Sequence, residues 1–438
     1  MPQSKRRAEV ASDPGLAQKG RLSYEWARAR MSIVEKIAEE NKSKRPLEGL
    51  TVGFCLHVTK ETSVLVMAAK RLGAKVALCS ANPLSVQDDI AAFLHGERVD
   101  VFAWRGETAQ EYSDCIRRVL ALSPQIVTDD GGDMHSFAHR AKKTKSTIIG
   151  GTEETTSGVK RLLALEKSGR LMYPVIAVNN ARTKYLFDNR HGTGQSTLDG
   201  IMRATAMFLP GARVVVCGYG WVGKGVAAKA RGMGAVVTVT EVDPVRALEA
   251  RMDGFEVTTL LDAAPRGDLF ITCTGQKGVI REEHFAKMKD GAILANTGHF
   301  DVEIDASYLY SSSSSSSSYS SSSSHSSKPE EVRPGVERLD IPIAGGKKKK
   351  LYLLSKGRVV NLVAAEGHPP EVMALSFANQ LMSILHVAKN HEKMEKKVYG
   401  VPEDIDMQVA RSALDAMGVK IDEITEEQKK YQDSSDRK

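Results

Sequence analysis

Short apolar runs punctuate the first third of the chain at Thr51–Leu56, Lys75–Cys79, Val101–Trp104 and Gln125–Thr128, and stretches with helical spacing separate them. Parallel strands need long crossover connections, so this alternation predicts a parallel α/β sheet with its helices in the crossovers. Ahead of it, Leu22 to Ala38 reads as a helix with Trp26, Ala29, Ile33 and Ile37 near one face. Residues 1–20 are basic and rich in small side chains, which predicts a disordered arm. A second block of the same kind starts near residue 195, with strands expected at Arg213–Cys217, Val236–Thr240, Leu269–Cys273 and Ala292–Ala295. Residues 311–327 are almost pure serine, broken by Tyr319 and His325; such a tract cannot bury apolar surface and predicts a disordered loop. The run Lys347–Lys350 reads as an exposed hairpin turn before a strand at Leu351–Leu354, and Val372–Ala388 as a helix. The tail carries a helical pattern over Ile405–Met417, apolar at Ile405, Val409, Ala413 and Met417, and a charged one around Thr425–Tyr431. It is too small for a core of its own and is expected to dock on another subunit.

One stretch of the second block carries explicit chemistry. After the valine-rich run Arg213–Cys217 come Gly218, Gly220, Gly223 and Gly225, then a helix-compatible segment, the run Val236–Thr240 and Glu241. Strand, glycine turn, helix, strand and acid form the dinucleotide-binding fingerprint. Glycines let backbone N–H groups approach a pyrophosphate at a helix N-terminus, and the acid accepts ribose hydroxyls. Glu241 favours NAD over NADP, because a carboxylate repels a 2′-phosphate. A phosphate-loop NTPase is excluded, since Gly225 follows Lys224 where a Mg²⁺-ligating hydroxyl is needed.

With 438 residues, 42% of them hydrophobic, the chain has material for two or three domains. The net charge of +7 gathers toward the ends, at Lys5, Arg6, Arg7, Lys429 and Lys430, and aromatics are only 6%, which argues against a nucleic-acid face. Five scattered cysteines without a CxxC pair point to buried thiols in a reducing compartment. There is no apolar stretch long enough to span a bilayer and no signal-peptide core, so a soluble cytoplasmic protein without membrane contact is expected.

Polar clusters follow the predicted strands, where open α/β sheets place ligands. They include His57, Thr59 and Glu61 in LHVTKET and Asp129, Asp130 and Asp133 in a glycine turn; Glu153 and Glu154 lie further on, in GGTEETTSG. Lys184, Asp188 and Asn189 fall in NNARTKYLFDN, and His299 and His368 follow glycines. Carboxylates and a partly desolvated lysine suit vicinal hydroxyls of a ribose and a relayed proton. Each residue also has a plainer reading: Asp129 as a helix cap, Lys184 as a surface lysine, Thr155–Ser157 as a turn. His135 and His139 are spaced i, i+4 without an HExxH, so no metal site is expected. From the residues alone the chain is an NAD enzyme acting on a polyol-like substrate.

Taken in order, FCLHVTKET, WRGET, DDGGD, GTEETTSG, TKYLFDN, GYGWVGKG with TEVDP, NTGHFDVEID and GRVVNLVAAEGHP resemble the S-adenosylhomocysteine hydrolase family over about Trp26 to Tyr431. The resemblance implies an α/β fold with a central Rossmann NAD domain (183–366, with the serine-rich insertion 311–330), a discontinuous substrate domain (21–182 and 367–392) and a helical dimerisation tail (393–438). It implies homotetramers with tightly held NAD and a nucleoside thioether substrate. It places Glu154, Lys184 and Asp188 at the ribose hydroxyls with Asn179 nearby, Asp130 as the base at C4′, and His57 at the 5′ end. Thr59 and Glu61 fall near the purine, and His299 and His368 line the closed site and touch the cofactor. Further NAD contacts implied are Thr155, Thr156, Ser157, Asn189, Gly218, Gly220, Trp221, Val222, Gly223, Lys224, Gly225, Glu241, Thr274, Thr297, Gly298 and Asn361.

The chain departs from the family pattern at three points. Thr193 stands where many relatives have cysteine, Glu366 where many have methionine, and the tail ends YQDSSDRK without the terminal lysine–tyrosine arm, as in archaeal and thermophilic bacterial members. Glu366 is expected near the purine edge and keeps an inosyl substrate open beside the adenosyl one. A non-catalytic NAD-binding regulatory protein is a further, weaker alternative.

Overall fold

The computed structural model describes residues 9–10, 12–141, 147–314, 329–342 and 348–433. Two sheets organise it. The first runs, edge to edge, Val398–Gly400, Val175–Ala177, Gly150–Glu153, Ile126–Asp129, Thr51–Leu56, Lys75–Ser80 and Asp100–Phe102, all parallel. The second runs Glu330–Arg333, Val336–Pro342, Lys348–Leu354, Ala292–Asn296, Leu269–Thr272, Arg213–Cys217, Val236–Thr240 and Glu256–Val257. It is parallel from Lys348–Leu354 onward, with the first two strands joined antiparallel at its edge. Strands covered on both faces read as near-continuous apolar runs, which is why these segments stand out in the sequence. The predicted strands lie within a residue or two of the observed ones, apart from the Lys348–Leu354 strand, which begins three residues before its expected start.

The N-terminal region differs from expectation. A helix begins at Pro14, inside the segment predicted to be a disordered arm, and runs to Arg30. Asp13 caps it, accepting from the N–H groups of Gly15 and Leu16 at 2.8 and 3.1 Å, with Pro14 in the first turn. It packs on the helix Asp88–Gly96, where Gly20 meets the backbone of Asp89 so closely that a Cβ would lie 2.0 Å from its carbonyl oxygen. Tyr24 stacks on Phe93 at 4.9 Å, which sets the helix phase. Trp26 therefore points outward, 55% exposed, with the Arg30 guanidinium 3.3 Å from its ring centre. A second helix, Ser32–Asn41, buries Ile33 and Ile37 as expected.

Three later segments also bear on the expectations. Lys348 to Lys350 belong to a strand rather than a turn, Lys347 lies outside the described residues, and Lys349 is buried, donating to the carbonyls of Ala286 and Met288 at 2.7 and 2.6 Å. Two backbone acceptors satisfy an ammonium there, which composition could not foretell. A helix, Ala306–Ser314, enters the serine tract, and the rest of that tract lies outside the described residues. The tail does not wait wholly for a partner: Val398–Gly400 pairs with Val175–Ala177, and Glu403–Ala416 buries Ile405, Val409 and Ala413 against its own chain. Among the described residues, no helix is long and apolar enough to cross a membrane.

Candidate active site

A cavity of about 930 Å³ opens between the carboxyl ends of the two sheets. His57, Asp130 and Glu154 each follow directly on a strand of the first sheet, and Gly218 and Glu241 on strands of the second. Parallel strands all end on one side, so residues distant in sequence converge there.

Asp130 sits between two imidazoles, with Oδ2 3.5 Å from His57 Nε2 and Oδ1 3.7 Å from His299 Nδ1. His57 Nδ1 lies 2.7 Å from Ser85 Oγ, fixing the ring. Burial pushes the His57 imidazole down to about 4, although Asp130 pulls the other way, so the ring is neutral at pH 7. The turn holding Asp130 is set from beneath. Asp129 Oδ1 accepts the Asp130 N–H at 3.0 Å and Glu153 Oε1 the Gly131 N–H at 2.9 Å. Gly131 has φ of 106°, and a Cβ there would lie 2.2 Å from His299 Nε2, so both backbone and space require glycine.

Lys184 is buried in a second cluster. Its ammonium lies 3.2 Å from Asp188 Oδ2, 3.6 Å from Glu154 Oε1 and 2.7 Å from Asn189 Oδ1. Asp188 also pairs with His368 Nδ1 at 2.9 Å. Burial alone favours a neutral lysine, but Asp188, Glu154 and Asp130 outweigh it and hold the pKa above its ordinary value. Lys184 thus stays an ammonium and a hydrogen-bond donor at neutral pH. Burial raises Glu154 to about 7 against the pull of Lys184, and Gln380 Nε2 donates to it at 2.6 Å, with Ser376 also bonded. Burial would raise Asp188 too, but Lys184 and His368 hold it below the usual carboxylate range.

The glycine turn builds a cradle. Gly218 has φ of 102°, and a Cβ added to Gly220 would meet no backbone atom within 4 Å, leaving the chain open to the cavity. Glu241 accepts from the N–H groups of Tyr219, Val242 and Asp243 at 2.7, 2.7 and 3.1 Å, so its carboxylate is fixed on the cavity wall. Thr155, Thr156, Trp221, Val222, Thr274, Thr297 and Gly298 line the same cavity. Ser157 Oγ and Asn361 Oδ1 are buried on it with no hydrogen-bond partner among the described residues. An open glycine cradle, a fixed carboxylate and two orphaned polar atoms suit a dinucleotide; in this chain the residues fit NAD.

Thr59, Glu61 and Asn189 also line the cavity, while four expected contacts stand behind it. Asn179 Oδ1 accepts from Asn189 Nδ2 at 3.2 Å and supports it. Gly223 and Gly225 serve packing, since Cβ atoms there would lie 2.0 Å from Gly218 O and 1.7 Å from Arg190 O. Lys224 pairs with Glu249 and lies 4.4 Å over the Trp221 ring. Glu366, expected at the purine edge, has a side chain 64% exposed and bonds Lys60. His135, read as an unlikely ligand, is interior and bonds Tyr173 and the Thr152 carbonyl at 3.1 and 3.2 Å.

Sequence reading missed two supports. Ser376, Asn379, Gln380 and Ser383 are fully buried on the helix Pro370–Asn390. Their spacing (i, i+3, i+4, i+7) in an otherwise apolar helix was a signal that could have found them. Asp406, on the tail helix, accepts the Arg182 and Thr183 N–H groups at 2.7 and 2.9 Å and so holds the turn that presents Lys184. Asp406→Ala strands those buried donors and is expected to cost about 2–4 kcal/mol. Denaturant unfolding checks this, and an unchanged midpoint rejects it.

The S-adenosyl-L-homocysteine hydrolase NAD binding domain matches residues 189–367, and the S-adenosyl-L-homocysteine hydrolase model matches residues 9–149. An adenosylhomocysteinase of Sulfurisphaera tokodaii is 52% identical over 419 residues, covering 96% of this chain and 97% of that one. One of Saccharolobus solfataricus is 51% identical over 420 residues with the same coverage. An S-inosyl-L-homocysteine hydrolase of Methanocaldococcus jannaschii is 49% identical over 421 residues, again covering 96% and 97%. With such identity along nearly its whole length, the chain belongs to the S-adenosyl-L-homocysteine hydrolase family.

Proposed function

We propose that the protein catalyses reversible, NAD-dependent hydrolysis of S-adenosyl-L-homocysteine to adenosine and L-homocysteine. The observation that carries this is one cavity joining a dinucleotide cradle to two separate proton-handling clusters, more than a simple dehydrogenase requires. A C5′ thioether resists direct displacement by water, whereas a ketone at C3′ acidifies the neighbouring C4′ proton and lets the thiolate leave by elimination. When bound, NAD supplies the reversible two-electron oxidation of the 3′-hydroxyl.

The chain's own groups do the rest. Asp188 and Glu154 accept hydrogen bonds from the ribose hydroxyls. The 3′-hydroxyl proton passes into the Lys184–Glu154–Asp188 cluster, whose Lys184 ammonium donates to the 3′-oxygen and stabilises the negative charge that grows there. Asp130 takes the C4′ proton and passes it to neutral His57 beside it, which hands it to the departing thiolate and, on the return half of the cycle, takes one from the incoming water. Thr59 and Glu61 meet the purine, and His299 and His368 close over the sugar.

The assembly proposed is a homotetramer. Met417, Val419, Ile421 and Ile424, apolar and exposed beyond the docked part of the tail, support its contact with another subunit. The five cysteines are thiols, four of them buried, which fits a reducing cytoplasm, where the reaction clears a product of methyl transfer.

Thiol release and absorbance at the nicotinamide band, followed together, test the reading. Thiol should appear without net NADH, and removal of the cofactor should abolish it. Net NADH accumulation would indicate an ordinary dehydrogenase. Bound NAD with no thiol release would indicate a non-catalytic protein.

A further inference from the structure

Lys60 occupies a position that the reaction does not use. It lies in the first turn of the helix Lys60–Arg71, nearly buried, with Nζ 2.9 Å from Glu366 Oε2 and 3.3 Å from Glu61 Oε1. Glu61 is 2% exposed and lines the cavity, and among the described residues its Oε1 makes no hydrogen bond beyond this ion pair. Glu366 belongs to the segment joining Leu362 to Met373, two apolar residues of the same cavity. A second tie from the first domain, Arg105 Nη2 to the Val363 carbonyl at 3.0 Å, fixes that segment. A buried carboxylate beside apolar walls suits the edge of a flat heterocycle.

We propose that Lys60 is a specificity-determining positioning residue: held between Glu61 and Glu366, it keeps the Glu61 carboxylate a hydrogen-bond acceptor only and so selects a 6-aminopurine nucleoside thioether over its 6-oxo analogue. The proposal rests on the hydrolase reading above. Burial favours the protonated form of Glu61, and the adjacent ammonium opposes it. An ionised carboxylate only accepts, which matches an exocyclic amine. A protonated one can donate, which matches an exocyclic carbonyl. Glu366 therefore acts through Lys60 and not by touching the base.

The experiment measures kcat and KM for the adenosyl and inosyl thioethers with the NAD-loaded wild type, Lys60→Met, Lys60→Arg and Glu366→Gln. The wild type should prefer the adenosyl compound. Lys60→Met should lower the adenosyl-to-inosyl ratio of kcat/KM about tenfold or more, the scale of one charge-assisted hydrogen bond, with the change in KM. Lys60→Arg should restore most of the ratio. Glu366→Gln should shift it the same way by less, and carries the test if Lys60→Met does not fold. An unchanged ratio in folded Lys60→Met, or in Glu366→Gln where that variant carries the test, overturns the proposal. So does a wild type that prefers the inosyl compound, which leaves the hydrolytic reaction standing. Turnover of neither thioether defeats the hydrolase reading, and this proposal with it.

Discussion

Replacing Asp130 by asparagine is expected to lower thioether turnover by ~10² or more while leaving the first oxidation intact, the effect of removing one general base. Asparagine keeps the size of the side chain between His57 and His299 but cannot take a proton. The Lys184 cluster, which handles the 3′-oxygen, is untouched. Adenosine added to the NAD-loaded variant should therefore still raise absorbance at the nicotinamide band. Exchange of the C4′ hydrogen with deuterated water, measured by mass spectrometry on recovered adenosine, should be slow in the variant and fast in the wild type. Undiminished turnover, or unchanged exchange, would remove Asp130 from the role of base.

Which parts of this site the sequence discloses follows from how the fold builds it. Strands covered on both faces leave continuous apolar runs, so Thr51–Leu56, Arg213–Cys217 and Val236–Thr240 are legible to the residue. Glu154 follows Gly150–Glu153, a strand too poor in apolar residues to be predicted, but His57, Asp130 and Glu241 fall just beyond apolar runs at the sheet's carboxyl end and could be placed by that rule alone. Lys184 and Asp188 could not: they follow a short strand and a one-turn helix, and only their order within the family's motifs marked them out. Supports that come from far along the chain were invisible. Asp406 lies in a tail that reads as a dimerisation helix, and its role depends on that helix folding back onto residues 182–183. Lys60 carries no signal of its own, because nothing local says that Glu366, far along the chain, will bond it.

The glycine run illustrates a subtler limit. All of its glycines were expected to serve the cofactor, yet Gly223 and Gly225 are required by neighbouring carbonyls within the protein. Glycine in a fingerprint answers to both close packing and ligand approach, and sequence does not separate the two.

Replacing Lys184 by methionine should give the complementary defect. Adenosine should no longer produce the nicotinamide band, and turnover should fall by roughly 10² to 10³, because the group that stabilises charge on the 3′-oxygen is gone. The variant should fold, since Asp188 keeps His368 as a partner and Glu154 keeps Gln380 and Ser376. Its stability should nevertheless depend on pH in a defined direction. Burial already raises Glu154 to about 7, and loss of the ammonium raises it further. A carboxyl whose folded pKa lies above its unfolded value contributes stability at low pH and loses it as pH rises through the folded pKa. The melting temperature of Lys184→Met should thus lie close to that of the wild type near pH 6 and fall progressively below it toward pH 8.5. A gap independent of pH would mean that Lys184 does not govern the ionisation of Glu154, and the electrostatic coupling assigned to this cluster would have to be abandoned.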